Sequence, residues 1–308
     1  MADLNQALDR ARELSWQHHG PNLGIFLPGM FTAYGRKGRY PAVSITGPDC
    51  RQGCEHCRGH LLRTMHPAVG GEALYALGKR LAAQGQKGML ISGGSDPQGR
   101  LPWDSVLPAI GRLSAETDLV LTAHVGRIDQ ATAKALRAAG VRQALIDVVG
   151  SEGTAQRILH LPDGLSAQRE TLAACGEAGL EVVPHIIMGL DHGHLIGEYD
   201  ALEIVAELDP QRVVFVVLMP LKDTPLAQAE PPSVEEVASF MASARLRLPS
   251  ARHHLGCARP RGRYRAELDG LAVRAGINAL AIPSDGALEQ ARSLGVKVSF
   301  QDTCCSLA

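Results

Sequence analysis

The sequence predicts an α/β protein, a TIM-type (β/α) barrel closed or partly closed, with parallel strands inside and helices outside. Short β-branched apolar runs alternate eight times with segments of helical pattern. The 308-residue chain has room for one such unit. Residues of chemical interest recur where the runs end, which in this architecture is the face that carries the chemistry.

Composition sets the frame. The chain is 45% hydrophobic and 20% charged, enough for an ordinary packed core. A net charge of -1 and a pI of about 6.9 give no general attraction to nucleic acid or to an anionic membrane. The longest strongly apolar run, Val213 to Leu221, is too short to span a bilayer and is broken by Pro220. The first ten residues carry acidic side chains and no apolar stretch of the kind a secretory signal needs. Seven cysteines, an odd number and partly clustered, fit a reducing cytoplasm better than a disulfide framework.

In chain order, residues 3–17 carry leucines and charges at helical spacing and predict an amphipathic lead-in helix. The Gly/Pro-rich passage that follows, with Tyr34, Arg36, Lys37, Arg39 and Tyr40, reads as a surface connection. Strands are expected at 42–46, 88–92, 119–125, 143–149, 181–188, 212–219, 253–257 and 279–283. Helices are expected over Gly71–Gln84, Asp129–Ala139, Ser166–Ala178, Ser233–Leu246 and Asp285–Leu294, which have polar starts. No repeat or low-complexity linker divides the chain, so one domain is expected: 1–41 a helix and connecting loop, 42–300 the barrel, 301–308 a cysteine-containing tail.

The strand ends carry distinctive residues. The first strand runs into Cys50, Cys54 and Cys57, three cysteines within eight residues. The second ends in Ser92-Gly93-Gly94-Ser95, where glycines let the backbone approach a ligand closely. The third ends at His124, the fourth carries Asp147 ahead of Gly150-Ser151, and the fifth carries His185. The seventh leads into Cys257, Arg259 and Arg261. Three thiolates spaced Cys-x3-Cys-x2-Cys on a polar loop can hold three irons of a 4Fe–4S cube and leave the fourth open. A structural zinc site using His56 is the competing reading, although adjacent His56 and Cys57 are awkward ligands for one tetrahedral ion.

The cysteine triplet after the first strand, with Ser92-Gly93-Gly94-Ser95 after the second, resembles the radical SAM superfamily. More finely, Ser44-Ile45-Thr46-Gly47, His56-Cys57, Ala123-His124-Val125-Gly126, Asp147-Val148-Val149-Gly150, Val183-Pro184-His185 and Leu255-Gly256-Cys257-Ala258-Arg259-Pro260-Arg261-Gly262 resemble the biotin-synthase-related group that includes the two-component lipoyl synthases. Two positions depart from the usual pattern: His56 stands where an aromatic residue is common, and Ser95-Asp96 where the glycine motif often ends in Glu.

The resemblance implies a 4Fe–4S cluster on Cys50, Cys54 and Cys57, whose open iron chelates S-adenosylmethionine, with Gly93, Gly94 and Ser95 positioning that cofactor. Asp147 or Ser151 is then expected at its ribose, with His124 and His185 facing the cavity and His185 among the catalytic groups. It also implies sulfur insertion into a protein-bound octanoyl chain. The sulfur would come from an auxiliary 4Fe–4S cluster on Cys257, Cys304 and Cys305, brought together by a tail folding back over the barrel mouth. Expected partners are an octanoylated lipoyl-carrier protein, a second related synthase and a low-potential donor such as ferredoxin. Arg259 and Arg261 are candidates for a carboxylate or an approaching protein surface, and Cys175 reads as a small core residue. The alternatives are a radical SAM enzyme that rearranges or methylates a small molecule, and a non-catalytic Fe–S or zinc module.

Overall fold

The computed structural model describes residues 2–29 and 31–307. Helix α1 (Ala2–His19) leads in, followed by strand β1 (Asn22–Phe26), a small hairpin of β2 (Thr32–Ala33) and β3 (Arg36–Lys37), β4 (Ala42–Ser44) and β5 (His66–Pro67). Strand and helix then alternate: α2 (Gly71–Ala83), β6 (Gly88–Ser92), α3 (Leu107–Glu116), β7 (Val120–His124), α4 (Gln130–Ala138) and β8 (Val141–Val148). After α5 (Glu152–Ile158) and α6 (Gly164–Glu177) come β9 (Glu181–Met188), α7 (Glu198–Glu207), β10 (Arg212–Val217), α8 (Val234–Arg247) and β11 (Arg252–Leu255). The chain continues through α9 (Arg263–Arg274), β12 (Ala279–Ala281), α10 (Asp285–Ser293) and β13 (Lys297–Gln301).

Eleven parallel strands form one curled sheet in the order β13-β1-β12-β11-β10-β9-β8-β7-β6-β4-β5, a half-barrel with helices around it. All eight expected strands are present, because strands buried on both faces read as continuous apolar runs. Two differences matter. The passage read as a surface connection contains β1, which pairs with both β12 and β13. Its five residues are framed by Pro21 and Pro28, which hide so short a run. Strand β13 lies at the sheet edge, largely exposed, and so lacks an apolar signature.

The main core lies between sheet and helices, where Ile91, Leu121, Phe215, Leu255 and Leu280 meet residues such as Leu113, Leu136 and Phe240. Several helix starts are capped by the residues their sequences supply: Asp129 on α4, Ser284 on α10, and a Ser233–Glu236 capping box on α8. Cys175 is fully buried on α6 within this core, and burial pushes its thiol up to about 12. No described helix is long and apolar enough to cross a membrane.

Residues on the opposite face of the strands form a second cluster inside the barrel: Phe26, Leu145, Val183, Val214, Ala279 and Ala281. The C-terminal tail completes it. Cys305 is part of this cluster, and Cys304 and Cys257 pack against it. The Ser306 carbonyl accepts hydrogen bonds from Gln143 Nε2 at 3.0 Å and Arg212 Nη1 at 2.8 Å. Gln143 and Arg212 stand near the starts of β8 and β10. The tail therefore fills the barrel from the end where strands begin, and does not cover the mouth as expected. Asp302 steers it there. Its carbonyl accepts from Arg39 N, its carboxylate meets Arg36 and Arg39, and Arg39 O in turn accepts from Lys87 N just before β6.

Candidate active site

The loop after β4 is held from both sides. Thr46 Oγ1 donates to Asp49 O at 2.9 Å and receives Gly94 N at 2.7 Å, tying the loop to the end of β6. Ser95 O accepts from Arg51 N at 2.8 Å and Gln52 N at 3.1 Å. On the far side, Ile158 O accepts from Glu55 N at 2.8 Å, and Leu159 O accepts from Gln52 Nε2 at 2.9 Å. Gly94 is required here by close approach: a Cβ would fall 1.9 Å from Asp49 O and 2.6 Å from Cys50 Cα. Its glycine thus fits the chain's own loop, where the sequence reading placed a ligand.

Cys54 is buried, Cys50 and Cys57 half-buried, and all three line one cavity of about 320 Å³. Burial, reinforced by the neighbouring thiols, pushes Cys54 well above the usual thiol range, and burial likewise raises Cys57. Thiolates at these positions therefore need a cation beside them. His56 lines the same cavity with its Nδ1 buried and unpartnered among the described residues. Burial lowers its pKa against the opposing pull of Asp147, so the ring is neutral near pH 7. Three soft donors on one short loop, facing open space, fit an iron–sulfur group better than a closed zinc site. Among the described residues no three metal-binding side chains stand close enough to close a shell round one ion, either here or at Cys257, Cys304 and Cys305, so the thiols are neighbours and not a finished shell.

Gly93, Gly94, Ser95, His124 and Asp147 line the cavity as well. His185 sits one step behind, buried, with Nδ1 3.0 Å from Val183 O. Burial and the adjacent His124 bring its pKa down to about 4, and burial also lowers His124. Ser151 is not in the cavity wall: its hydroxyl caps α5 by accepting from Thr154 N, so the ribose expectation rests on Asp147 alone. Arg259 is likewise no ligand-binding group. It is fully buried, with Nε on Asp269 Oδ1 at 2.8 Å, Nη2 on Asp269 Oδ2 at 3.1 Å, and further bonds to the carbonyls of Gly256, Ala281 and Ile282. Arg261 is exposed on the loop beyond.

Two residues of the cavity wall escaped the sequence reading. Gln168 on α6 holds both Val149 N, at 2.8 Å, and Val149 O, at 3.0 Å. Arg127 forms a two-pronged ion pair with Asp163 at 3.0 and 2.8 Å. Its position just after His124-Val125-Gly126 at a strand end was the available signal; Gln168 offers none. A larger groove of about 590 Å³ lies outside, between α3, α4 and α6, and contains none of the thiols.

No protein-family model matches the chain. Over 251 residues it is 26% identical to the biotin synthase of Crocosphaera subtropica, a match covering 78% of this chain and 64% of that enzyme's length. Its fold superposes on the FeFe-hydrogenase maturase HydG with a TM-score of 0.67 and 16% identity, over 90% of this chain and 61% of that one. Methylornithine synthase matches with a TM-score of 0.66 and 14% identity, over 97% and 90% of the two chains.

Proposed function

We propose that this chain, related to biotin synthase in sequence and built on the fold of radical SAM enzymes, is a radical SAM enzyme that inserts sulfur into a protein-bound octanoyl chain during lipoyl assembly. The observation that carries the first half is the placement of Cys50, Cys54 and Cys57 on one braced loop facing one cavity with Gly93, Gly94 and Asp147. A 4Fe–4S cluster there, with S-adenosylmethionine, supplies one-electron cleavage to a 5′-deoxyadenosyl radical that takes a hydrogen from an unactivated carbon.

The chain's own residues do the placing. Gly94 and Ser95 brace the cysteine loop; Asp147 offers an acceptor to a hydroxyl; neutral His56 and His124 offer polar contacts without adding positive charge. Leu145, Leu101 and Leu161 give the wall an apolar surface that excludes water.

The sulfur-insertion half is supported by the gathering of Cys257, Cys304 and Cys305 in the barrel interior. We read these thiols as ligands of an auxiliary cluster that gives up sulfur. Leu145 belongs to the wall of the cavity and to this interior cluster, so a single layer separates the two sulfur sites. An octanoylated carrier, a second related synthase and a ferredoxin-like donor complete the proposal.

Anaerobically reconstituted protein, given S-adenosylmethionine, a low-potential reductant and an octanoylated peptide, should form 5′-deoxyadenosine and a peptide heavier by sulfur on mass spectrometry. Cleavage with no sulfur added to the peptide would point instead to a small-molecule substrate. No cleavage under strong reduction would leave a non-catalytic module.

A further inference from the structure

Unmet polar atoms gather around the inward-folded tail. Oε1 of Gln143 and Nε of Arg212 are buried without hydrogen-bond partners among the described residues, and neither ring nitrogen of His254 nor Oγ of Ser306 makes a well-formed bond, with only the Cys305 backbone beside the first and the Cys304 thiol beside the second. A buried polar group left unpaired is destabilising, so such a concentration asks for a missing partner.

Strand alternation explains why His254 is there. His253 points outward to the helices, its ring 5.3 Å from that of Phe215 and its Nε2 3.1 Å from Leu248 O. His254 therefore faces the interior. In register it lies between Val214 on β10 and Ala279 on β12, which belong to the cluster that holds Cys305 and packs on Cys257 and Cys304. Its ring also lies against the Cys305 backbone. His254 is completely shielded from solvent.

We propose that His254 is the fourth protein ligand of the second iron–sulfur cluster, beside Cys257, Cys304 and Cys305. This rests on the sulfur-insertion reading above. Three thiolates and one imidazole would also suit zinc, but adjacent Cys304 and Cys305 are poorly placed for one tetrahedral ion, whereas a cube offers each neighbour its own iron. An imidazole in place of a thiolate makes the cluster less negative and raises its reduction potential, as it does where histidines replace cysteines on two-iron centres.

The test uses the full chain with Cys50→Ala, Cys54→Ala and Cys57→Ala combined, reconstituted with iron and sulfide so that only the second site contributes. About four irons and four sulfides per chain are expected for one cube. Pulsed EPR of the reduced protein should show coupling to a nitrogen that responds to 15N-histidine labelling. His254→Ala should remove that coupling. His254→Cys should keep the irons, lack the coupling and have a lower potential, which preserves the test if the alanine variant folds poorly. Absence of iron, or zinc in its place, would overturn the second cluster and with it the sulfur-insertion reading. Four irons with no histidine coupling, or with coupling that survives both substitutions, would overturn the assignment of His254 alone.

Discussion

The rings of His124 and His185 stand 5.4 Å apart, tilted by 56°. His124 lines the cavity shared with the cysteine loop, and His185 stands in register with Val214, which in turn pairs with His254 of the barrel interior. Neither ring carries a proton near neutral pH, since burial disfavours the charged form at both sites.

That neutrality predicts an acid-labile fold. The folded pKa of His185 lies at about 4, below the ordinary value of 6.5, so between these the unfolded chain binds the proton and the native one does not. Stability from this residue is fully present above pH 6.5 and falls as pH drops toward 4, by roughly 2–3 kcal/mol. Denaturant unfolding across this range should show the slope, and His185→Gln should flatten part of it. His19, His56, His124, His253 and His254 shift in the same direction and add to the slope, while buried Glu198, raised to about 7, works against it over the same range. An unchanged slope in the variant would refute the assignment.

Cys50→Ala should abolish formation of 5′-deoxyadenosine and lower the iron content by about one cube, with the melting temperature of the metal-free protein little changed. Persistent cleavage by the variant would contradict the proposed cofactor site.

Gly94→Ala should be costly on packing within the chain alone. The added carbon meets the Asp49 carbonyl and the Cys50 backbone, neither of which is a flexible side-chain end. Overpacking of this kind costs about 1–3 kcal/mol. Calorimetry should report a lower melting temperature, and iron uptake by the first site should drop. Wild-type values for both would mean that the loop yields freely.

Arg259→Met should destabilise the protein by about 3–5 kcal/mol, because it leaves the Asp269 carboxylate buried and uncompensated. Arg259→Lys should fail nearly as badly, since an ammonium cannot serve the two carboxylate oxygens and three carbonyls together. Equilibrium unfolding in urea decides this; a wild-type midpoint would show the network to be dispensable.

Cys304→Ala and Cys305→Ala should leave cleavage of S-adenosylmethionine intact and remove sulfur transfer. Loss of both activities together would mean that the tail supports the barrel as a whole.

The sequence revealed what depends on local pattern. Buried parallel strands are apolar runs, and cysteines spaced to meet one cluster betray themselves by count. What depends on distant partners stayed hidden. Arg259 looks like a loop cation open to a substrate carboxylate or a protein surface until Asp269, ten residues on in α9, is seen beneath it. Ser151 looked like a ligand contact, although its place just before a short helix also matched a cap. His254 has a strand neighbour of the same type, and only the inside–outside alternation of β11 separates their surroundings. The destination of the tail could not be read from its eight residues, because Gln143 and Arg212 fix it from strands far earlier in the chain.

The Arg259 network has a mechanical consequence. One guanidinium holds Gly256 immediately before Cys257, the end of β12 and, through Asp269, helix α9, while the Asp269 carboxylate also receives Ser284 N at the start of α10. Cys257 is thus mounted on a rigid post. Cys304 and Cys305 hang on a strap fastened at Asp302 and Ser306. The two halves of the thiol group are thus held by separate networks, one an ion pair wholly out of solvent and the other a set of bonds that begins at exposed arginines.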